Sequence, residues 1–519
     1  MSAPRQSTAG LVFKWCLSVC LALILLYFVF RIYANGQPLW AIGALCLFGL
    51  GFYVYLANVA FAYRYLYPGV AAMLVFVALP MFYTASIGFT NYSSNNLLSE
   101  SRSRQYLLEQ SVPVDATSMR FTLHPDGNEF RIALSELEDV EPAIPTANFV
   151  SASLALMSQT PPLNVRMSSA KEASFPIGPP LPLSEVLKHR SALQAATLSL
   201  PDGRKLSYAG VGEFAEMSSL WRPNADGSLL HLLTGESYHP NQTTGFFENE
   251  KGEQIQPGFK VGVGLANYAR ILLDQEFRAP FVAIFTWTVA FSGLTVVFTL
   301  AIGLLLAAIL NWEALPARGI YRTLLFLPYA VPAFISILVF KGLFNQNFGE
   351  INALLDAVFG VKPAWFADPL LAKIMVLVVN TWLGYPYFMI LCSGLIKAIP
   401  ADLYEASALV GASPWTNFKT ITAPLIIKPL MPLLVSVFAF NFNNFVVIAL
   451  LTDGRPDYLN TKLPAGTTDI LVSYTYRIAF QDAGQNFGLA AAISTIIFIL
   501  IALLSMANLR LTRGRETNQ

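Results

Sequence analysis

Glu405-Ala-Ser-Ala-Leu-Val-Gly411, running on to Ile421 and Pro424, is a short polar interruption between two long apolar segments. Pro400-Ala-Asp-Leu-Tyr404 flanks it on one side and Ser413-Pro-Trp-Thr-Asn-Phe-Lys419 on the other. The pattern predicts helix, turn, helix. Asp402 is placed to accept hydrogen bonds from free amides at the first helix start. Leu403, Ala406 and Val410 recur three and four apart and share a face. Gly411 can take the positive φ that ends a helix, and Ser413-Pro414 is an N-cap followed by proline at the first helical position. Ala406, Ser407 and Ala408 are small enough for another backbone to approach.

The surroundings are membrane-like. Of 519 residues, 55% are hydrophobic and 13% charged, against a charged share of about 25% in soluble domains. Apolar residues gather in runs at 11–33, 39–63, 69–89, 280–310, 320–340, 370–396, 424–451 and 487–509. Each approaches or exceeds the roughly 20 residues that cross hydrocarbon. The first run is too long for a signal-peptide core. The fold class expected is a mainly α polytopic membrane protein with about eight transmembrane helices.

Arg5, Lys14, Arg64, Arg318, Arg322, Lys397, Lys419, Arg510, Arg513 and Arg515 fall on one side of an eight-span chain. By the positive-inside rule that side is the cytoplasm. It also holds both termini and the 400–424 loop. Lys341, Lys362, Arg455, Lys462 and Arg477 moderate the bias. The chain divides into residues 1–90 with spans one to three, a polar insert at 91–276, a core at 277–511 with spans four to eight, and a tail at 512–519.

The insert falls on the outer side and reads as a β domain. Segments around Pro125-Asp-Gly127 and Pro201-Asp-Gly203 alternate apolar and polar residues about a turn that needs positive φ. The stretch 142–182, rich in proline and serine, shows no clear pattern. Cys16, Cys20, Cys46 and Cys392 lie in apolar runs, so the insert is expected to hold without disulfides. His124, His189, His231 and His239 lack metal-ligand spacing and read as surface or packing residues. Residues Ile351, Leu354, Leu355, Val358 and Phe359 make an apolar helical stripe, suited to the outer membrane surface or to the β domain.

Spans five to seven carry the residues that point to chemistry. Leu327-Pro-Tyr-Ala-Val-Pro332 and Asn380-Thr-Trp-Leu-Gly-Tyr-Pro-Tyr387 place prolines and glycine within spans, where freed backbone must face protein or a cavity. Asn441 and Asn444, three apart, share a face with Phe440 beside them. Amides both donate and accept, which suits a sugar hydroxyl. Asn380, Gly384 and Tyr387 line one side of span six. The alternative is interhelical glue, since asparagines often bond neighbouring helices for about 0.6 kcal/mol each. Spans four to eight lack a convincing mid-membrane ionisable residue, which weighs against ion-coupled transport. No G-x-x-x-x-G-K-[ST] run is present, so ATP hydrolysis is not expected of this chain. Net charge +1 says nothing about nucleic acid, but no basic stripe is present, and no nucleic-acid partner is expected. No cofactor, metal site or catalytic residue is expected.

The spacing of Glu405, Ala406, Ser407, Gly411, Ile421 and Pro424 resembles the E-A-A loop of bacterial ABC importer permeases, which docks in a cleft on a separate ATPase. Ser407 stands for its third small residue, Ala423 for its leucine and Val410 for its usual acidic residue. Further motifs are similar to the larger permease subunit of the maltose/maltodextrin importers, in the binding-protein-dependent transport permease family. They include Asn91-Tyr-Ser-Ser, Trp312-Glu-Ala-Leu, Phe340-Lys-Gly-Leu-Phe-Asn and Phe438-Ala-Phe-Asn-Phe-Asn-Asn444.

The resemblance implies the type I importer permease fold with an immunoglobulin-like periplasmic insert, in a bacterial inner membrane. It implies as partners a second permease subunit, two ATPase subunits, a periplasmic sugar-binding protein and membrane lipid. Its sugar site maps to Asn380, Leu383, Gly384, Tyr387, Phe440, Asn441 and Asn444, and a serine of that site aligns with Val437. This tips the asparagines from glue towards site. A permease for another oligosaccharide and a membrane-tethered ligand sensor are the other readings. Uptake of labelled sugars and the identity of co-purifying partners discriminate between them.

Overall fold

The computed structural model describes residues 8–57, 59–136, 147–155, 163–171, 178–312, 314–459, 461, 463–482 and 484–516. The chain forms two compact units, Met1–Gly88 with Ala491–Gln519, and Phe89–Ala490.

The first unit contains α1 (Thr8–Ala34), α2 (Pro38–Leu56) and α3 (Phe61–Ile87). Most of their apolar side chains point outward, as expected when the solvent is hydrocarbon. Contact between helices depends on a few groups. The Tyr67 hydroxyl donates to the Leu47 carbonyl at 2.7 Å. It crosses at Gly51, where a Cβ would lie 2.7 Å from that oxygen. Arg64 donates to the carbonyls of Val54 and Ala57, both at 3.3 Å. It thereby satisfies orphan acceptors at the end of α2.

The second unit carries the core helices. These are α4 (Gln275–Leu310), α5 (Arg318–Leu325), α6 (Leu327–Ala330), α7 (Ala333–Leu343), α8 (Glu350–Phe359) and α9 (Pro369–Lys397). They continue with α10 (Ala401–Leu409), α11 (Pro414–Phe442), α12 (Phe445–Leu451) and α13 (Leu471–Phe480). Helix α14 (Phe487–Glu516) begins in this unit and from Ala491 onward belongs to the first. Among the described residues, seven helices are long and apolar enough to cross a membrane.

The expected fifth span is not one helix. Proline cannot donate to the preceding turn and disfavours helical geometry in the residue before it. The run therefore breaks before Pro328 and at the extended Val331-Pro332 pair, giving α5, α6 and α7. The Tyr385 hydroxyl donates to the freed Leu325 carbonyl at 2.8 Å. The expected seventh span also breaks. Asn443 (φ −111°, ψ 16°) and Asn444 (φ −76°, ψ 71°) separate α11 from α12.

Helices α4 and α9 pack closely because small residues face the contact. A Cβ on Gly303 would lie 2.6 Å from Phe388 Cβ, and one on Gly384 would lie 2.7 Å from Thr299 Cγ2. Along α4, Thr288, Ser292, Thr295 and Thr299 are buried. Thr288, Ser292 and Thr299 donate to the carbonyl four residues earlier, at 2.6–2.7 Å. Their burial therefore leaves those hydroxyls satisfied. Leu304, Ala307, Cys392, Ile426 and Leu430 join α4, α9 and α11 in one apolar cluster.

The insert is β-rich. Its strands are β1 (Ser111–Pro113), β2 (Met119–Asp126), β3 (Glu129–Glu136), β4 (Phe149–Ser151), β5 (Leu163–Ser169), β6 (Ala196–Ser199) and β7 (Lys205–Gly210). There follow β8 (Glu213–Ala215), β9 (Met217–Ser219), β10 (Trp221–Pro223), β11 (Leu229–His231), β12 (Ser237–Asn241), β13 (Phe246–Glu248) and β14 (Gln254–Ile255). Strands β2 to β8 close into a barrel, β10 to β14 form a meander, and β1 pairs with β9. Among the described residues, only β5–β6 is a parallel pair within the barrel. Both Asp-Gly turns form hairpins. Asp126 pairs Glu129 and Ser199 pairs Lys205, with Gly127 at φ 64° and Gly203 at φ 90°. Alternation puts Met119, Phe121, Leu123, Leu198 and Leu206 in the barrel core. Part of the unpatterned 142–182 stretch supplies β4 and β5; residues 142–146, 156–162 and 172–177 lie outside the described set.

Asn91 ties the start of the insert to its end. Its amide donates to the carbonyls of Thr244 and Phe259 and accepts from Val261 N–H. Helix α8 keeps Leu354, Val358 and Phe359 exposed. It is anchored from the other side by buried Asn352, which donates to Gln346 and Pro363 carbonyls and accepts from Trp365 Nε1 at 2.8 Å.

Candidate functional site

The breaks in the fifth and seventh spans open onto one cavity of about 630 Å³. It gathers all seven residues expected from the sequence: Asn380, Leu383, Gly384 and Tyr387 from α9, Phe440 and Asn441 from α11, and Asn444 from the break. Val437, where the resemblance places a serine, also lines it. Thr295 and Thr299 from α4, absent from the sequence reading, are also on the wall, as are Tyr329 and Pro332 from the proline-broken segment expected to face protein or a cavity. Buried hydroxyls at 288, 292, 295 and 299, spaced four, three and four apart, were the available signal for the α4 face.

The cavity floor is a relay of amides. Asn380 Nδ2 donates to Asn441 Oδ1 at 2.8 Å and to Thr295 Oγ1 at 3.1 Å. Asn444 Nδ2 donates to Asn380 Oδ1 at 3.0 Å. Asn441 Nδ2 donates to the Val437 carbonyl at 2.9 Å. Asn380 and Asn441 are each 4% exposed, so these bonds take the place of water. The spacing argument placed Asn441 and Asn444 on one face of an unbroken helix. They instead meet at Asn380 because the helix ends between them.

The walls are apolar and aromatic. Phe440 is 70% exposed and Tyr387 38% exposed. A ring of that kind offers an apolar platform for the C–H face of a sugar, while uncharged amides serve its hydroxyls. Among the described residues, no Asp, Glu, His, Lys or Arg lines the cavity. The arrangement suits reversible binding of a neutral polyhydroxyl ligand.

The stretch 400–424 forms the helix–turn–helix expected of it, with one correction. The first helix is capped by Pro400, without a side-chain bond, and Asp402 lies inside the first turn. The helix begins at Ala401, one residue before the aspartate, which then meets the positive end of the helix dipole. Gly411 has φ 71°. Ser413 Oγ accepts from Thr416 N–H at 3.2 Å. Ser407 Oγ donates to Asn417 Oδ1, and Tyr404 and Thr422 hydroxyls meet at 2.9 Å. These cross-links tie the two helices of the hairpin together and leave its outer side bare. Glu405 and Ala406 are exposed, and at the tip Leu409 is 89% and Val410 82% exposed.

Residues 98–264 match the P2 domain of the maltose transport system permease protein MalF. Residues 299–512 match the inner membrane component of binding-protein-dependent transport systems. The maltose/maltodextrin transport system permease protein MalF of Escherichia coli K12 is 48% identical, covering 96% of each chain. This chain belongs to the MalF permease family. The MalF of Klebsiella aerogenes is 48% identical over 96% of each chain, and that of Yersinia pestis is 47% identical over 96% of this chain and 94% of its own. As a MalF-family permease, the protein is a multi-pass inner membrane component of an ABC transport system. The MalF P2 match covers most of the β insert, and the permease match covers the hairpin and every cavity-lining residue named above except Thr295.

Proposed function

We propose that this chain is the larger permease subunit of a binding-protein-dependent ABC importer for maltose and maltodextrins. The observation that carries the reading is the neutral cavity in which Asn380, Leu383, Gly384, Tyr387, Phe440, Asn441 and Asn444 converge. MalF relatives nearly half identical over almost the whole chain support the substrate class. The amides bind sugar hydroxyls, and Phe440 and Tyr387 stack on ring C–H faces. Val437 offers no side-chain hydroxyl, so binding relies more heavily on the amides.

The partners in this reading are a second permease subunit, two ATPase subunits and a periplasmic sugar-binding protein. The chain itself hydrolyses nothing. Both termini and the 400–424 hairpin face the cytoplasm, and the β domain faces the periplasm and meets the binding protein. Glu405, Ala406, Ser407 and Gly411 form the lever held by an ATPase cleft. ATP-driven closure of the ATPases moves that lever, and the rigid hairpin passes the motion to α9 and α11. The cavity then faces alternately the binding protein and the cytoplasm.

The test is ATP-dependent uptake by the complex reconstituted with its ATPases and binding protein. Labelled maltose and maltotriose are expected to accumulate in the vesicles. Accumulation of trehalose or another oligosaccharide without maltose would overturn the substrate. Co-purification with a kinase or regulator in place of an ATPase would support a ligand sensor.

A further inference from the structure

The amide relay at the cavity floor has a sense and a plane, and they are set from different places. The Val437 carbonyl can only accept, so it holds the amino end of Asn441. Asn441 Oδ1 then faces Asn380 and requires the amino end of Asn380 there. Asn380 Oδ1 consequently faces Asn444 and accepts its N–H. Reversing any one amide would set oxygen against oxygen or N–H against N–H. A backbone carbonyl thus fixes the direction of three side chains.

Direction alone does not fix the plane of the central amide. Asn380 has a second N–H, and in a group only 4% exposed it needs a partner. Thr295 Oγ1 supplies it at 3.1 Å from α4. Thr295 is itself 2% exposed and is held in place by close packing of α4 on α9. With Asn380 tied at three points, Asn444 keeps one N–H and its Oδ1 uncommitted among the described contacts, at the edge of the cavity.

We infer that Thr295 is a positioning residue for sugar passage: its hydroxyl fixes the Asn380 amide plane and thereby the direction in which Asn444 presents its donor and acceptor. The inference rests on the sugar-site reading above. Its position on the opposite helix makes the relay sensitive to α4–α9 spacing. The hold on a ligand therefore depends on the same packing that joins the two helices.

The test uses the whole reconstituted complex with saturating maltose-loaded binding protein. Maltose uptake and ATP hydrolysis are measured in the same vesicles, and the readout is sugar carried per ATP. Thr295→Val keeps the shape and deletes the hydroxyl; Thr295→Ser keeps the hydroxyl. The ratio is expected to fall about tenfold in Thr295→Val, the factor that one buried hydrogen bond carries in an equilibrium. Thr295→Ser is expected to restore it.

A merely structural role would lower uptake and hydrolysis by the same factor and leave the ratio unchanged, which would overturn the inference. So would an equal fall in Thr295→Ser. If Thr295→Val does not assemble, Thr295→Ala is read in the same way. Phe440→Ala separates the two levels. A wild-type uptake there overturns the sugar-site reading itself, whereas loss in Phe440→Ala with an unchanged ratio in Thr295→Val overturns only the role of Thr295.

Discussion

Gly384 faces Thr299 with no room for a methyl group: a Cβ at 384 would sit 2.7 Å from Thr299 Cγ2 and 3.7 Å from Thr299 Cβ. The expected outcome for Gly384→Ala is a loss of about 1–3 kcal/mol by overpacking, with impaired uptake. Thr299→Ser deletes the clashing methyl, so the double variant should recover most of the loss. Thermal unfolding of the purified complex, read as a double-mutant cycle, checks this. Independent, additive effects would mean that the contact does not limit helix spacing.

Phe440 and Asn441 adjoin in sequence but differ in burial, so their variants should part company. Phe440 is largely exposed in the cavity. Its change to alanine should lower maltose uptake while stability stays within about 0.5 kcal/mol, as for other exposed positions. Asn441→Ala strips partners from the Val437 carbonyl and the Asn380 amide. It should cost about 1–3 kcal/mol as well as uptake. Unchanged uptake by both variants would leave the asparagines as interhelical glue.

Glu405→Lys reverses a charge on the exposed side of α10 while leaving the Ser407–Asn417 and Tyr404–Thr422 cross-links intact. The variant is expected to insert and assemble but to lose sugar-stimulated ATP hydrolysis. Full coupling in that variant would mean that the hairpin is only a surface helix.

Acid should loosen the β domain before it affects the core. Hydrogen bonds from Arg131 hold the Asp126 carboxyl below its usual range. The Arg204 backbone does the same for Asp202, and Lys251 for Glu236. A carboxyl whose pKa is lowered on folding stabilises the fold above its unfolded pKa, about 4. That contribution is lost as pH falls through the folded value. Limited proteolysis of the full protein should therefore cut residues 111–255 faster at about pH 3 than at pH 7. Asp126→Asn should show a smaller difference between the two conditions. An insert equally resistant at both would contradict the assignment.

Much was legible in one dimension. The hairpin at 400–424 was readable because Gly411, Ser413 and Pro414 act through their own backbone. The β hairpins were readable because Asp-Gly sits between alternating strands. Asp402 lies in the first turn rather than at the cap, because Pro400 takes the cap position without a side-chain bond. The breaks at Pro328, Pro332 and Asn443–Asn444 are only half legible: the residue types mark the places, yet apolar run length alone reads through them as continuous spans.

Length, apolar period and turn chemistry are properties of neighbouring residues, and they set the spans, the insert and the hairpin from the chain alone. The cavity required more. Asn380 meets Asn441 across 61 positions and Thr295 across 85. No periodicity connects residues so far apart. Which buried hydroxyl satisfies which amide was decided when α4, α9 and α11 packed, because close packing admits few arrangements and buried polar groups need partners.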